Sequence, residues 1–265
     1  MILDSLWQAQ QSGGYAAARQ AAAQFETTDP NLIQPLAQFY LALLAFAEDD
    51  FSTARTHAEI CAHHMPDQRV YVESLRYLER ILEAGKAGVY VDGEAFAAFV
   101  RGGGNVALYA NVSDLLARCY HDSAPRLLDI GVGDGMALLP ALDAQDTPPS
   151  ELTLIEPSDA MLKNTTSQLD ARRIPYAATN GTLQEFMAQN TNQHWDIIQA
   201  TWSLQSISPE ERPGVFAWLR AHADRVLIAE FDVPHWRDMF DPARVTYVLD
   251  RFENGLAEYD GDGGV

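Results

Sequence analysis

Cysteine is scarce in this chain. Of 265 residues only Cys61 and Cys119 carry a thiol, which excludes a disulfide framework and makes a reducing compartment the simplest expectation. Cations are scarce too: 18 Lys and Arg stand against 37 Asp and Glu, a formal net charge of −19. Tracking a phosphate backbone needs clustered Lys and Arg, so nucleic acid is not an expected partner. The acidity favours cationic ligands only through a weak long-range field, and most of it serves as a solvated surface. No stretch of 18 or more apolar residues occurs and no charged-then-apolar leader opens the chain, so a cytoplasmic protein without membrane contact is expected. With 47% hydrophobic residues there is ample material for buried cores, and the length suits one large or two modest domains.

What is present divides the chain. Residues 1–87 are rich in Ala and poor in β-branched residues, which favours helix. They contain an internal echo 36 residues apart: Tyr15 with Phe51, Ala18 with Ala54, Arg19 with Arg55, Ala22 with Ala58 and Pro30 with Pro66. This resembles tetratricopeptide-type helix hairpins, although the Trp and Gly positions of that motif do not match. A small helical bundle is the alternative. Residues 88–124 read as a junction. Gly88 and Gly93 break the pattern, 96–100 look helical, and Asn105 is placed as the N-cap of a helix carrying Leu108, Tyr109, Val112 and Leu116. His57, Cys61 and His64 share one helical face at metal-like spacing, but no fourth ligand is in sight. A packed or solvated face is the expectation there, and no metal site.

From residue 126 apolar strands alternate with helical segments, as a mostly parallel sheet with crossover helices requires. Strands are expected at 126–130, 152–155, 176–179, 196–200 and 225–231, with helices after Gly135 and at 158–171, 183–188, 209–222 and 242–257. The fold class is therefore α/β, a Rossmann-like sheet with flanking helices preceded by a small all-α domain. Ligands in such sheets sit at the C-terminal strand ends. Two of those ends stand out. The first strand closes on Asp129 and runs into glycines at 131, 133 and 135, and the second closes on Glu156, 25 residues after Gly131. Glycines allow close approach of backbone to a ligand, and an acid at the tip of the next strand can accept hydrogen bonds from a ribose diol. The dinucleotide fingerprint G-x-G-x-x-G/A fits poorly, because its third position is the bulky Met136.

Asp129-x-Gly131-x-Gly133-x-Gly135 together with Glu156 resembles motif I and the ribose-binding acid of the class I S-adenosylmethionine (SAM) methyltransferases, and the resemblance covers about residues 105–257. It implies SAM as cofactor, with S-adenosylhomocysteine (SAH) as product. It also implies that Asp129, Gly131 and Gly133 surround the methionine end, that Glu156 binds the ribose, and that Pro157 and Ser158 pack near the adenine. The segment Asn180-Gly181-Thr182 lacks the Asp that many members place at the adenine amine, so Asn180 or Thr182 is expected to substitute. Ala200 lies at the fourth strand end, and Tyr109 sits on a helix that in this family often closes over the cofactor; a plain core role for Tyr109 stays open. On the acceptor side His235 is the best base candidate, since imidazole titrates near neutrality, with Glu230 and Asp232 as orienting acids, unless one of them only caps a loop. Trp202, Phe231 and Trp236 are candidates to wall an apolar pocket. The loop after strand four lacks the Asn/Asp-Pro-Pro-Tyr/Phe signature of enzymes that methylate amide or nucleobase nitrogens.

The leading expectation is transfer of a methyl group to an O, N or C atom of a small molecule. In a second expectation the helical region is an interaction module beside a SAM-binding but non-catalytic scaffold, or presents a substrate tethered to a carrier protein. The chain stops where the family's last two strands would begin, so a truncated chain, or else an edge supplied by a partner, is expected, with an exposed sheet edge; a homodimer is a further expectation from the helical domain beside that edge. The sheet domain is thus placed at 125–265, with its final strands lacking.

Overall fold

The structure is a computed structural model that describes residues 2–25, 33–86, 102–120 and 125–258. The expected glycine breaks at Gly88 and Gly93, the helical stretch at 96–100 and the last seven residues lie outside them. The chain forms two compact units, one of residues 1–91 with 234–265 and one of residues 92–233.

The first unit is helical. α1 (Ile2–Ala23), α2 (Ile33–Ala47), α3 (Phe51–His64) and α4 (Arg69–Ala84) pack in sequence around Leu3, Leu6, Tyr40, Leu41 and Leu44. α1 is broken at Gly13 and Gly14, the latter at φ 64°, so Tyr15 opens a second short helix. Asp49 also has a positive φ, 58°, just before Phe51 opens α3. The echo positions then do equal work. Ala18, Ala22, Ala54 and Ala58 are all buried, because each supplies the small contact that lets neighbouring helices approach.

The same unit also holds α10 (Pro242–Glu258), which buries Val245 and Leu249 in the same core. The segment leading to it is stapled throughout. Trp7 Nε1 donates to Asp238 Oδ2 at 2.8 Å, the Arg237 guanidinium lies 3.8 Å from the centre of the Trp7 ring, and Tyr40 Oη donates to the Phe240 carbonyl at 3.1 Å. Residues 234–258 therefore cluster with the N-terminal helices, which corrects the expected 125–265 boundary of the sheet domain. An amphipathic helix declares that it has an apolar face, not which surface covers it. At the start of α4 the Gln68 side chain provides no cap. The Glu253 carboxylate accepts from the Arg69 and Val70 N–H groups instead, at 3.2 and 3.0 Å. Glu253→Ala leaves those donors bare and is expected to lower stability by about 1–2 kcal/mol in urea unfolding, the usual loss for a missing cap.

The second unit carries α5 (Asn105–Cys119) and an all-parallel sheet in the order β3-β2-β1-β4-β5, made of β1 (Arg126–Ile130), β2 (Glu151–Glu156), β3 (Ala177–Asn180), β4 (Trp195–Thr201) and β5 (Ala223–Ala229). Gly104, rather than Asn105, occupies the N-cap position of α5. The crossovers are α6 (Leu138–Asp143), α7 (Asp159–Arg172), α8 (Leu183–Gln189) and α9 (Arg212–His222). Alternation along the strands builds two cores. Leu127, Leu152, Leu154 and Ile197 join α5, α6 and α7 on one face, while Leu128, Ile130, Ile155, Ile198 and Ala200 join α8 and α9 on the other. This is a doubly wound, Rossmann-like sheet. Its strand order reverses between β1 and β4, the crevice where such sheets bind ligands. β5 is the edge, and among the described residues it pairs with β4 alone.

Candidate active site

The loop after β1 is built on backbone that only glycine holds comfortably. Gly131, Gly133 and Gly135 have φ of 67°, 57° and 81°. They serve different ends. A Cβ on Gly131 would lie 2.4 Å from Ser203 Cβ, and one on Gly135 would lie 2.7 Å from Leu139 Cδ1, so both let neighbouring elements close up. A Cβ on Gly133 would meet nothing within 4 Å. Bare backbone thus faces open space at the switch point. The loop is pinned from below by Thr165, whose hydroxyl donates to the Gly133 carbonyl at 2.8 Å.

Glu156, at the tip of β2, is buried and faces this loop. Its Oε2 accepts from the Gly133 N–H at 2.9 Å and its Oε1 from the Ser158 N–H at 2.8 Å. Burial pushes its carboxyl up from the ordinary range, against the pull of those two donors. A carboxylate has about four acceptor sites, so two remain for a ligand. Glu156→Gln turns one acceptor into a donor facing an N–H. The expected outcome is a loss of about 1–3 kcal/mol in thermal unfolding, with faster amide exchange at Gly133 or Ser158.

Asp129 is 3% exposed. Its Oδ2 accepts from Gln199 Nε2 at 2.7 Å, and its Oδ1 has no partner among the described residues. Burial raises its pKa to about 7; the Gln199 hydrogen bond lowers it and the nearby Glu156 charge raises it further. Gln199 stands in register with Asp129 across the β1–β4 pair, and its own Oε1 accepts from the Tyr120 hydroxyl. Neither Gln199, Tyr120 nor Thr165 was among the residues expected at the site. Gln199 carried a signal, a lone amide among the apolar residues Ile197, Ile198 and Ala200. Tyr120 and Thr165 carried none.

The remaining expected residues divide. Pro157 is exposed at the rim. Asn180 Nδ2 donates to the Glu156 and Pro157 carbonyls, both at 3.0 Å, and the Gly181 N–H donates to the Glu156 carbonyl at 3.2 Å, so this pair clamps the β2 tip. Thr182 caps α8 in a reciprocal box with Glu185. Ala200 has its methyl buried among Leu128, Ile130 and Ile198 on the face opposite Asp129, so only its backbone is left for a ligand. Tyr109 meets Trp202 edge-on at 4.7 Å, and Trp202 stacks on Phe231 at 5.5 Å. Trp202 holds φ 51°, an uncommon conformation for an aromatic residue, beyond the end of β4.

On the acceptor side, Glu230 Oε1 accepts from the Leu204 N–H at 2.9 Å and secures the short turn Leu204–Ser206, the loop-capping role that had been left open. Asp232 is exposed near the end of this unit. His235 is exposed and belongs to the helical unit, as does Trp236, which packs on Tyr247 of α10 at 5.6 Å. In the helical unit, Cys61 is buried with its thiol donating to the Pro35 carbonyl, and His57 is held between Tyr15 and Gln38. Among the described residues no group of three or more His, Cys, Asp or Glu could hold a metal ion.

No protein-family model matches the chain, and no curated protein matches it. Solved structures are similar to part of it. With magnesium protoporphyrin IX methyltransferase from Synechocystis PCC 6803 the identity is 14%, over 69% of this chain and 82% of that one, at a TM-score of 0.40. The ribosomal protein L11 methylase from Lactobacillus delbrueckii subsp. bulgaricus is 17% identical over 57% and 67%, at 0.37. PH1948 from Pyrococcus horikoshii is 16% identical over 55% of this chain and 66% of its own length, just under two thirds, at 0.39. The fold assignment rests on the strand order and register described above, not on these likenesses.

Proposed function

We propose that the sheet unit binds SAM and that the chain is a SAM-dependent methyltransferase acting on a small molecule. One observation carries the reading: open backbone at Gly133 lies directly beside the buried carboxylate of Glu156, on adjoining strand ends at the switch point. A nucleoside with a ribose diol and a cationic tail fits that donor set. Glu156 would take the two ribose hydroxyls through its spare acceptor sites. Gly131 and Gly133 would let the tail lie against the backbone, and the unpartnered Oδ1 of Asp129 would accept from its ammonium. Pro157, Asn180, Gly181 and Thr182 would form the rim around the base, by backbone more than by side chain.

When bound, SAM supplies an electrophilic methyl group on a sulfonium whose thioether leaves readily. The protein's part is alignment and exclusion of water. The aromatic row Tyr109, Trp202 and Phe231 is suited to that, and to holding an apolar acceptor. A base is needed only if the acceptor must shed a proton early, and Glu230 already serves the loop. The charge of −19 favours a small acceptor over a polyanion.

Calorimetric titration tests this. Saturable one-site binding of SAM and SAH, with no heat from NAD, is the expected result. A folded sample silent to both at millimolar ligand would overturn the reading.

A further inference from the structure

Three side chains make a buried relay beneath the site. Tyr120 at the end of α5 is 3% exposed, Gln199 of β4 is 0% exposed and Asp129 of β1 is 3% exposed. The Tyr120 hydroxyl donates to Gln199 Oε1, and Gln199 Nε2 donates to Asp129 Oδ2 at 2.7 Å. A glutamine amide can turn over, which would place Oε1 against the aspartate; with Asp129 ionised, that orientation sets two acceptors face to face. The tyrosine proton, committed to Oε1, disfavours the turned state further. Burial of this kind is retained in a core only where every member has a partner. The other oxygen, Asp129 Oδ1, accepts no hydrogen bond among the described residues and is not among the fully buried side-chain atoms left without a partner.

Resting on the SAM reading, we propose that Tyr120 and Gln199 are positioning residues: they lock Asp129 as an acceptor through one oxygen and reserve the other for the ammonium group at the amino-acid end of the methyl donor. The relay thereby couples recognition of that end to the ionisation of one buried carboxyl. The titratable groups around it are Glu156 on β2 and, near Tyr120, Cys119. Burial holds the Tyr120 phenol well above its ordinary value, so it stays a donor across neutral pH.

The test compares SAH with 5′-methylthioadenosine, which has the same nucleoside and no amino-acid end. Calorimetry across neutral pH on the full chain, Tyr120→Phe and Gln199→Leu supplies the arms. SAH affinity is expected to fall about tenfold or more in Gln199→Leu and several-fold in Tyr120→Phe, as loss of charge-assisted hydrogen bonding implies, while 5′-methylthioadenosine binds as before. The acid limb of SAH binding should also move to higher pH in Gln199→Leu, since a donor that favours the ionised carboxyl is gone. If Gln199→Leu fails to fold, the near-isosteric Tyr120→Phe carries the same comparison. Equal losses for both ligands, or an unchanged SAH affinity with an unmoved acid limb, would overturn the relay. A parent chain that binds neither ligand would overturn the SAM reading itself, and the relay with it.

Discussion

Asp129→Asn is expected to make the ligand-free protein harder to unfold and at the same time to weaken its affinity for SAH. The two effects share a cause. Asp129 has an ordinary value of 3.8 and is raised to about 7 in the folded chain, chiefly by burial. The folded state therefore holds that proton more tightly than the unfolded one. Its contribution to stability is fully present below the ordinary carboxylate range, is lost as pH rises towards 7, and stays lost above it. An asparagine never ionises, so the variant should match the parent in acid and gain on the order of 2 kcal/mol above neutrality, read as a widening gap in Tm. Gln199 can still donate to the asparagine oxygen, so the relay need not collapse. What disappears is the charge for the donor's ammonium, and SAH affinity should fall about tenfold to a hundredfold. A variant destabilised at every pH would show that Asp129 is a structural anchor instead.

The glycine loop gives the second large effect, and it separates packing from recognition. Gly131→Ala forces a Cβ to 2.4 Å from Ser203 Cβ at a left-handed φ. Backbone strain and overpacking together are expected to cost about 2–5 kcal/mol, as a fall in denaturant midpoint. Gly133→Ala meets no neighbour within 4 Å, so only the backbone strain of about 1–2 kcal/mol applies to the fold. Its methyl group instead occupies the space assigned to the donor, and SAH binding should drop by far more than the fold loses. Comparable binding losses in variants matched for stability would remove the distinction between the two glycines.

Much of the sheet unit was legible because its signals are local. Apolar runs ending in Asp129 and Glu156 mark strand tips, and glycines two residues apart mark positive φ, which the loop shows at all three. What escaped depends on who covers what. Ala200 looked like a site residue by its place at a strand end, but parity puts its methyl on the opposite core from Asp129. Asn180 and Thr182 are expected to stand in, by side chain or backbone, for the Asp missing at the adenine amine; their side chains hold the β2 carbonyls and the cap of α8, a use that spacing does not reveal. His235 was ranked as a base by its chemistry and its nearness to β5. β5 ends at Ala229, the unit boundary falls at residue 234, and Trp7, Arg237 and Asp238 bind the stretch that follows into the helical unit. Such long-range partners leave no mark on spacing or composition.

The most direct measurement is a crystal structure of the full chain grown with SAH. The account predicts adenosyl density across Gly133, with both ribose hydroxyls on Glu156 and the amino group on Asp129 Oδ1. Adenosyl density seated away from the β1 and β2 tips, or over them with Glu156 turned aside, would contradict it.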